Sequence, residues 1–302
     1  MANELVKKEE KKDGIATYLS SPAVRESITN VLGKDHVDSF VSDVVACVQN
    51  NETLAKCTNK SIFSAALLSK SINLPLTPQL GYAYLVPFDN KKQVDGKTVY
   101  EKEAVFQMGW KGYVQLALRS NNYRKLLATD VRKGEIENFN PFEDLFEMKP
   151  LEFDKRNAKD EKGNYIVPII GYYAKMVMVN GFTKELYMTQ EEMLAYATKY
   201  SKAYRRDLDK HTYYSFWSTK FDDMAKKTML RQLLGKWGLL TAELERAYVC
   251  DMAVVDEDFN PDYVDNKPDD PEPPVNPFKD VEDAEVVEIP KEIEDEVDGV
   301  FK

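Results

Sequence analysis

The chain has 302 residues, 43% of them hydrophobic and 30% charged, with a net charge of −10; that length supports one substantial core or two modest ones. Three cysteines (Cys47, Cys57, Cys250) without a CxxC pair, and only two histidines (His36, His211), argue against a zinc centre, which needs four ligands in closely spaced pairs. Met1 to Asp13 is charged with no apolar stretch of signal-peptide type, and no apolar run reaches bilayer-spanning length, so a soluble, cytoplasmic protein with reduced thiols and no membrane partner is expected.

In chain order, residues 1–14 are rich in Lys and Glu and are expected to be disordered. Ser21-Pro22 opens a first helix that Gly33 closes. Asp35 is the expected cap of a second, whose apolar face is Val37, Phe40, Val41, Val44, Val45 and Val48. Asn59 is the expected cap of a third, through Ile62, Phe63, Ala66, Leu67 and Leu68, which Pro75 and Pro78 forbid from continuing. Leu80 to Phe88 and Val99 to Met108 read as strands joined across Lys91 to Lys97, with Asp95-Gly96 as the turn. Trp110 to Ser120 follows as a short helix and Leu126 to Val131 as a strand. Ile166 to Val179 and Phe182 to Met188 form a second hairpin about Asn180-Gly181. Thr189 caps a helix beginning Gln190-Glu191-Glu192, and one long helix is predicted from Tyr213 to Trp237.

Charge is unevenly placed. Residues 251–302 hold 19 Asp and Glu against 4 Lys, so they carry −15 and the preceding 250 residues +5. A mildly basic body with an acidic tail points towards nucleic acid. The tail, rich in proline and acid, cannot bury enough apolar surface to offset its ordering entropy. The organisation predicted is an α+β domain over 15–255, with a flexible tail over 256–302 whose acids either compete with DNA for a basic groove or repel it until a partner engages the tail.

Three stretches carry candidate chemistry. In Gln107 to Ser120, a strand runs through Gly109 into a helix whose Lys111, Gln115 and Arg119 share one face, with Trp110, Tyr113, Val114 and Ala117 on the other. A bare helix N-terminus beside a lysine suits a phosphate, although a solvated basic face explains the same pattern. In Lys199 to Trp217, Lys199, Lys202, Arg205, Arg206, Lys210 and His211 alternate with Tyr200, Tyr204, Tyr213, Tyr214, Phe216 and Trp217. Cations that track a backbone and rings that stack on any base are what a single-strand groove needs; the competing assignment puts Tyr213, Phe216 and Trp217 in the core. In Trp217 to Trp237, Lys220, Lys227 and Arg231 lie on one side of a helix apolar around much of its circumference, with Lys226 beside them. Such cations need an anionic partner, for which Asp222, Asp223 and phosphate are the candidates.

Enzyme readings fare less well. Gly96-Lys97-Thr98 completes only half of a P-loop, because position 91 is Lys where the first glycine belongs. Asp130 with Glu147-Met148-Lys149, or Asp160-Glu161-Lys162, loosely fits a Mg²⁺-dependent nuclease, but charged loops about Pro141 and Pro150 explain them as well. No catalytic residue, metal or cofactor is assigned.

At Gln107 to Tyr123 the chain resembles the central signature of the RecT-type phage annealing proteins, and Met224-Ala-Lys-Lys-Thr-Met-Leu-Arg231 resembles that family's second block. Asn73 to Phe88 is similar as well, and the resemblance spans about 15–251 in the family's order. It implies a twisted, mainly antiparallel sheet flanked by helices, related to phage lambda Red beta and the eukaryotic strand-annealing mediators. It further implies nucleotide-independent annealing of complementary strands in recombination and repair, with single-stranded DNA and the annealed duplex held on rings or helical filaments of the protein. The partners implied are a 5′→3′ exonuclease and the host single-strand-binding protein. Carried over by motif, Gln107, Lys111, Arg119, Lys227 and Arg231 become candidate DNA contacts and Tyr113 a wall of the site. A passive single-strand coat is the alternative.

Overall fold

The computed structural model describes residues 14–94, 97–140 and 145–263. The Lys/Glu-rich start before Gly14, the Asp95-Gly96 turn and the acid- and proline-rich tail beyond Tyr263 lie outside the described residues. Four helices come first: α1 (Ile15–Leu19), α2 (Pro22–Leu32), α3 (Val37–Gln49) and α4 (Asn59–Ser71). Strands β1 (Ala83–Val94) and β2 (Lys97–Met108) form a long hairpin, followed by α5 (Trp110–Arg119), β3 (Tyr123–Arg132), β4 (Ile136–Asn140), β5 (Leu145–Met148) and α6 (Phe153–Asn157). Next are β6 (Ile169–Met178), β7 (Thr183–Thr189), α7 (Gln190–Tyr200), α8 (Lys202–Lys210), α9 (Phe216–Thr219) and α10 (Phe221–Trp237). The described chain ends with α11 (Ala242–Cys250), β8 (Ala253–Val255) and β9 (Pro261–Tyr263).

The fold is α+β, with antiparallel strands arranged in three sheets, ordered β1-β2-β8-β9, β3-β6-β7 and β4-β5. The first sheet is covered by α4, buried along every residue from Ser61 to Ser69. Such a helix has no solvated face, so its hydroxyls depend on partners within the protein: Ser61 Oγ accepts from the Ala104 N–H of β2 at 2.8 Å and Ser69 Oγ donates to the Leu74 carbonyl at 2.6 Å, whereas Ser64 Oγ is buried without a partner among the described residues. Helix α10 packs against β3, β6 and β7 and also against α5, which explains why it is apolar around most of its girth.

Several local expectations shift by a residue or more. Thr58, not Asn59, caps α4, accepting from the Ser61 N–H. Asp35 caps nothing; residues 34–36 form a 3₁₀ turn ahead of α3. The segment Lys91 to Lys97, expected as a connection, is mostly strand, because Lys92 pairs across the ladder with Glu101 at 3.0 Å and Lys102 with Asp89 at 2.6 Å. The expected continuous helix over 213–237 is broken at Lys220 (φ −141°, ψ 51°), so α9 and α10 are separate. The strands β4 and β5 occupy ground expected to be loop, and β9 extends the first sheet into residues assigned to the tail.

Candidate nucleic-acid interface

Glycines bring two of the three sequence blocks together. A Cβ on Gly109 would sit 2.1 Å from the Gly81 carbonyl oxygen, and one on Gly112 would sit 2.3 Å from that of Tyr82. Only bare backbone permits this approach, and the Gly109 N–H donates to the Tyr82 carbonyl at 2.9 Å. The N-terminus of α5, which carries no side-chain cap, therefore opens beside the 78–84 segment.

It opens into a hollow of about 230 Å³ lined by Tyr84, Gln107, Lys111, Lys220, Met224 and Lys227, among others. A second hollow of about 310 Å³ is lined by Lys202, Arg206, Tyr214 and Trp217 together with Gln107, Phe216 and Met224. The three shared residues set the two hollows side by side, together a groove with Gln107 at the divide, its Nε2 3.5 Å from Met224 Sδ. Among the described residues Lys111, Lys220 and Arg206 are exposed and in no ion pair. Lys220 Nζ lies 5.6 Å from the Tyr84 ring and 5.5 Å from that of Phe216, and Lys111 and Lys226 flank the Trp110 ring at 5.9 Å each. The Trp110 indole is fixed by donating to Asp223 at 3.0 Å.

Beneath this groove lies a buried carboxylate. Asp251 Oδ1 accepts from Lys227 Nζ at 2.8 Å and the Met108 N–H at 2.8 Å; Oδ2 accepts from Tyr113 at 2.9 Å and Arg231 at 3.2 Å. Burial pulls the Lys227 ammonium below the ordinary lysine range even against the attraction of Asp251. For Arg231, burial opposes the charge, but Tyr113 and Asp251 outweigh it and hold the guanidinium above its usual range. Within the fold, the carboxylate that Lys227 and Arg231 meet is Asp251, not Asp222 or Asp223.

The remaining sequence candidates are dispersed. Tyr113 is wholly buried, below the groove and not on its wall. Arg119 holds the Ile72 and Asn73 carbonyls just past α4, at 3.1 and 2.9 Å, and Gln115 is half-buried on α5 outside the hollows. Lys226 pairs with Asp130 at 3.5 Å. Arg205 donates to the Lys199 carbonyl at 2.9 Å, closing the end of α7. Tyr204 is buried against Trp217, whereas Tyr200 is exposed, its ring tilted by 45° against that of Tyr196 at 4.5 Å, with Lys199 Nζ 5.3 Å from it. Tyr213, which the competing assignment puts in the core, is exposed. Of the nuclease candidates, Asp130 is engaged by Arg132 at 2.8 Å and Arg156 at 3.3 Å as well as Lys226, Glu147 is exposed on β5, and Asp160 closes a turn on the Lys162 and Asn164 N–H groups.

Asp207, which the sequence did not single out, fastens the segment that carries Tyr214 and Ser215 into the second hollow. Buried in α8, it accepts from Thr212 Oγ1 at 2.8 Å, from the Tyr214 and Ser215 N–H groups at 3.0 and 2.7 Å, and from Ser218 Oγ at 2.7 Å. The only hint in the sequence is the series of hydroxyl residues Thr212, Ser215 and Ser218 that follows it. Burial works against its ionisation, yet the bonds from Ser218, Ser215 and Thr212 hold the carboxyl well below the usual range. A lowered folded-state pKa stabilises the fold fully above the unfolded carboxylate value, near 3.9; the contribution declines below that pH and is lost only as pH falls through the much lower folded-state value. In urea unfolding, Asp207→Asn should cost about 2 kcal/mol at pH 7, and the gap from wild type should stay constant down to about pH 4 and narrow only below it. A gap that stays constant below that pH as well would assign the loss to something other than this carboxylate.

No helix among the described residues is long and apolar enough to cross a membrane. A model of the RecT family matches residues 38–271. The chain is 32% identical over 247 residues to the uncharacterized protein YqaK of Bacillus subtilis (strain 168), covering 82% of this chain and 73% of that protein. It is 26% identical over 242 residues to protein RecT of Escherichia coli (strain K12), covering 80% of this chain and 81% of that one. The groove-forming blocks all lie within the matched residues, and the chain belongs to the RecT family.

Proposed function

We propose that this protein binds single-stranded DNA along the Gln107 groove and anneals it to a complementary strand, without ATP and without a catalytic residue. Membership of the RecT family supports a role in recombination and strand annealing. The observation that carries the reading is the adjacency of the two hollows, one lined by Lys111 and Lys220 and the other by Lys202 and Arg206, with the neutral Gln107 between them. Cations on the walls provide affinity for phosphates independently of sequence, and base pairing with the incoming strand supplies specificity. No bond is made or broken in annealing, so the protein acts as a binder and not an enzyme. Weak contacts from each subunit become a stable assembly when copies line up on one strand as a ring or helical filament. A 5′→3′ exonuclease that exposes the strand and the host single-strand-binding protein are the partners proposed, in the cytoplasm of a bacterial host.

The test follows two complementary oligonucleotides, dye- and quencher-labelled, in EDTA without nucleotide. Wild type should pair them faster than the spontaneous rate, and a Lys111→Ala/Lys220→Ala/Arg206→Ala variant should not. Because these side chains are exposed, the variant should melt as wild type does, while the slope of log K against log salt for a single strand becomes shallower by about 2, roughly 0.7 for each phosphate no longer neutralised. Binding without faster pairing would make the protein a passive coat. An unchanged slope would remove DNA from this groove.

A further inference from the structure

We propose that Tyr213 and Tyr214 form a base-stacking platform at the Arg206 end of the groove, presented on a loop that Asp207 holds in place; the inference rests on the groove binding a single strand. The two rings are 76% and 81% exposed. Exposed aromatic pairs are uncommon on a surface that meets only water, since each ring carries a large apolar face. These two sit on a backbone that is fixed. Helix α8 ends at His211 in the left-handed region (φ 52°, ψ 43°), which turns the chain outwards. The Tyr214 N–H and the groups on either side of it, Thr212 Oγ1 and the Ser215 N–H, all donate to the single carboxylate of Asp207. The loop is thus tied from beneath while its rings project.

Location and charge select the occupant. Tyr214 lines the same hollow as Lys202 and Arg206, and Lys210 and His211 immediately precede the loop. A polyanion held by these cations would bring its bases alongside the rings. A tyrosine ring stacks on any base without reading sequence, and with only two side-chain torsions it loses little entropy in doing so. The platform complements the lysine walls: cations hold the phosphates, whereas the rings hold a base face and turn its pairing edge towards an incoming strand.

The test uses the full chain and two probes of equal length, an oligothymidine and the same sugar-phosphate backbone with abasic sites throughout. Wild type should bind the oligothymidine more tightly. The Tyr213→Leu/Tyr214→Leu variant keeps apolar bulk and removes the π faces, and at such exposed positions it should melt as wild type does. Its affinity for oligothymidine should fall about tenfold or more, with abasic binding and the salt slope unchanged. Equal binding of oligothymidine by variant and wild type overturns the platform and leaves the groove intact. Equal losses on both probes, with a smaller assembly in sedimentation, assign the rings to a contact between copies of the chain and also overturn it. If wild type binds neither probe, the groove reading fails and the platform with it.

Discussion

Asp251→Ala should be the most damaging single substitution in the described fold, lowering stability by about 3–5 kcal/mol, the usual result of leaving one half of a buried ion pair unpaired. Four groups lose their acceptor together, and the Lys227 side chain is only 4% exposed, so water cannot replace the carboxylate there. Against a typical stability of roughly 5–15 kcal/mol, the variant should sit near the edge of unfolding at 37 °C. Chemical denaturation of wild type, Asp251→Ala, Lys227→Met and the double variant provides the check. The double variant should recover part of the loss, because it removes the unpaired ammonium along with its counterion. A loss below about 1 kcal/mol for Asp251→Ala would mean that the carboxylate is not what neutralises this cluster.

Gly112→Ala and Gly109→Ala should be nearly as severe although they add one methyl group. Alanine is intrinsically the better helix former by about 1 kcal/mol, so a helix considered alone would gain from the change at position 112. Here the new Cβ would meet the Tyr82 carbonyl oxygen at 2.3 Å and Met108 Cγ at 2.8 Å. The obstruction is backbone, which cannot rotate away, and overpacking of this kind costs about 1–3 kcal/mol, occasionally more. The relief is for α5 to back away from residues 81–82, which moves Lys111 and the end of β2 together. DNA affinity should therefore fall as well, with no charge altered. Melting curves and single-strand titrations measure the two effects, and a Gly112→Ala protein equal to wild type in both would show that this approach is not needed.

What could be read in the sequence was set by distance along the chain. The Asn180-Gly181 turn lies where expected, with Gly181 at φ 91°, and the Thr189–Glu192 capping box forms as its spacing predicts, because both signals are complete within a few residues. Lys111, Lys220, Lys202 and Arg206 were identifiable as cations, but which of them share a groove depends on the Gly81–Gly109 and Gly112–Tyr82 approaches, which no periodicity encodes. Lys227 and Arg231 look like phosphate ligands in the helix pattern because their counterion lies 24 and 20 positions later, beyond the next helix. The break at Lys220 was hidden for a related reason. No glycine or proline marks it; the turn at Ser215 that starts α9 is fastened by Asp207, a tertiary contact.

The position of Asp251 also bears on how the protein is made. Its partners Met108, Tyr113, Lys227 and Arg231 all emerge from the ribosome before it does, the first of them 143 residues earlier. Until residue 251 is out, a nascent chain carries Lys227 and Arg231 at its centre without the carboxylate that neutralises them, and the floor of the groove cannot settle. DNA-binding competence thus arrives late in synthesis and as one step, so a truncated chain that stops before α11 is complete should have no partial activity.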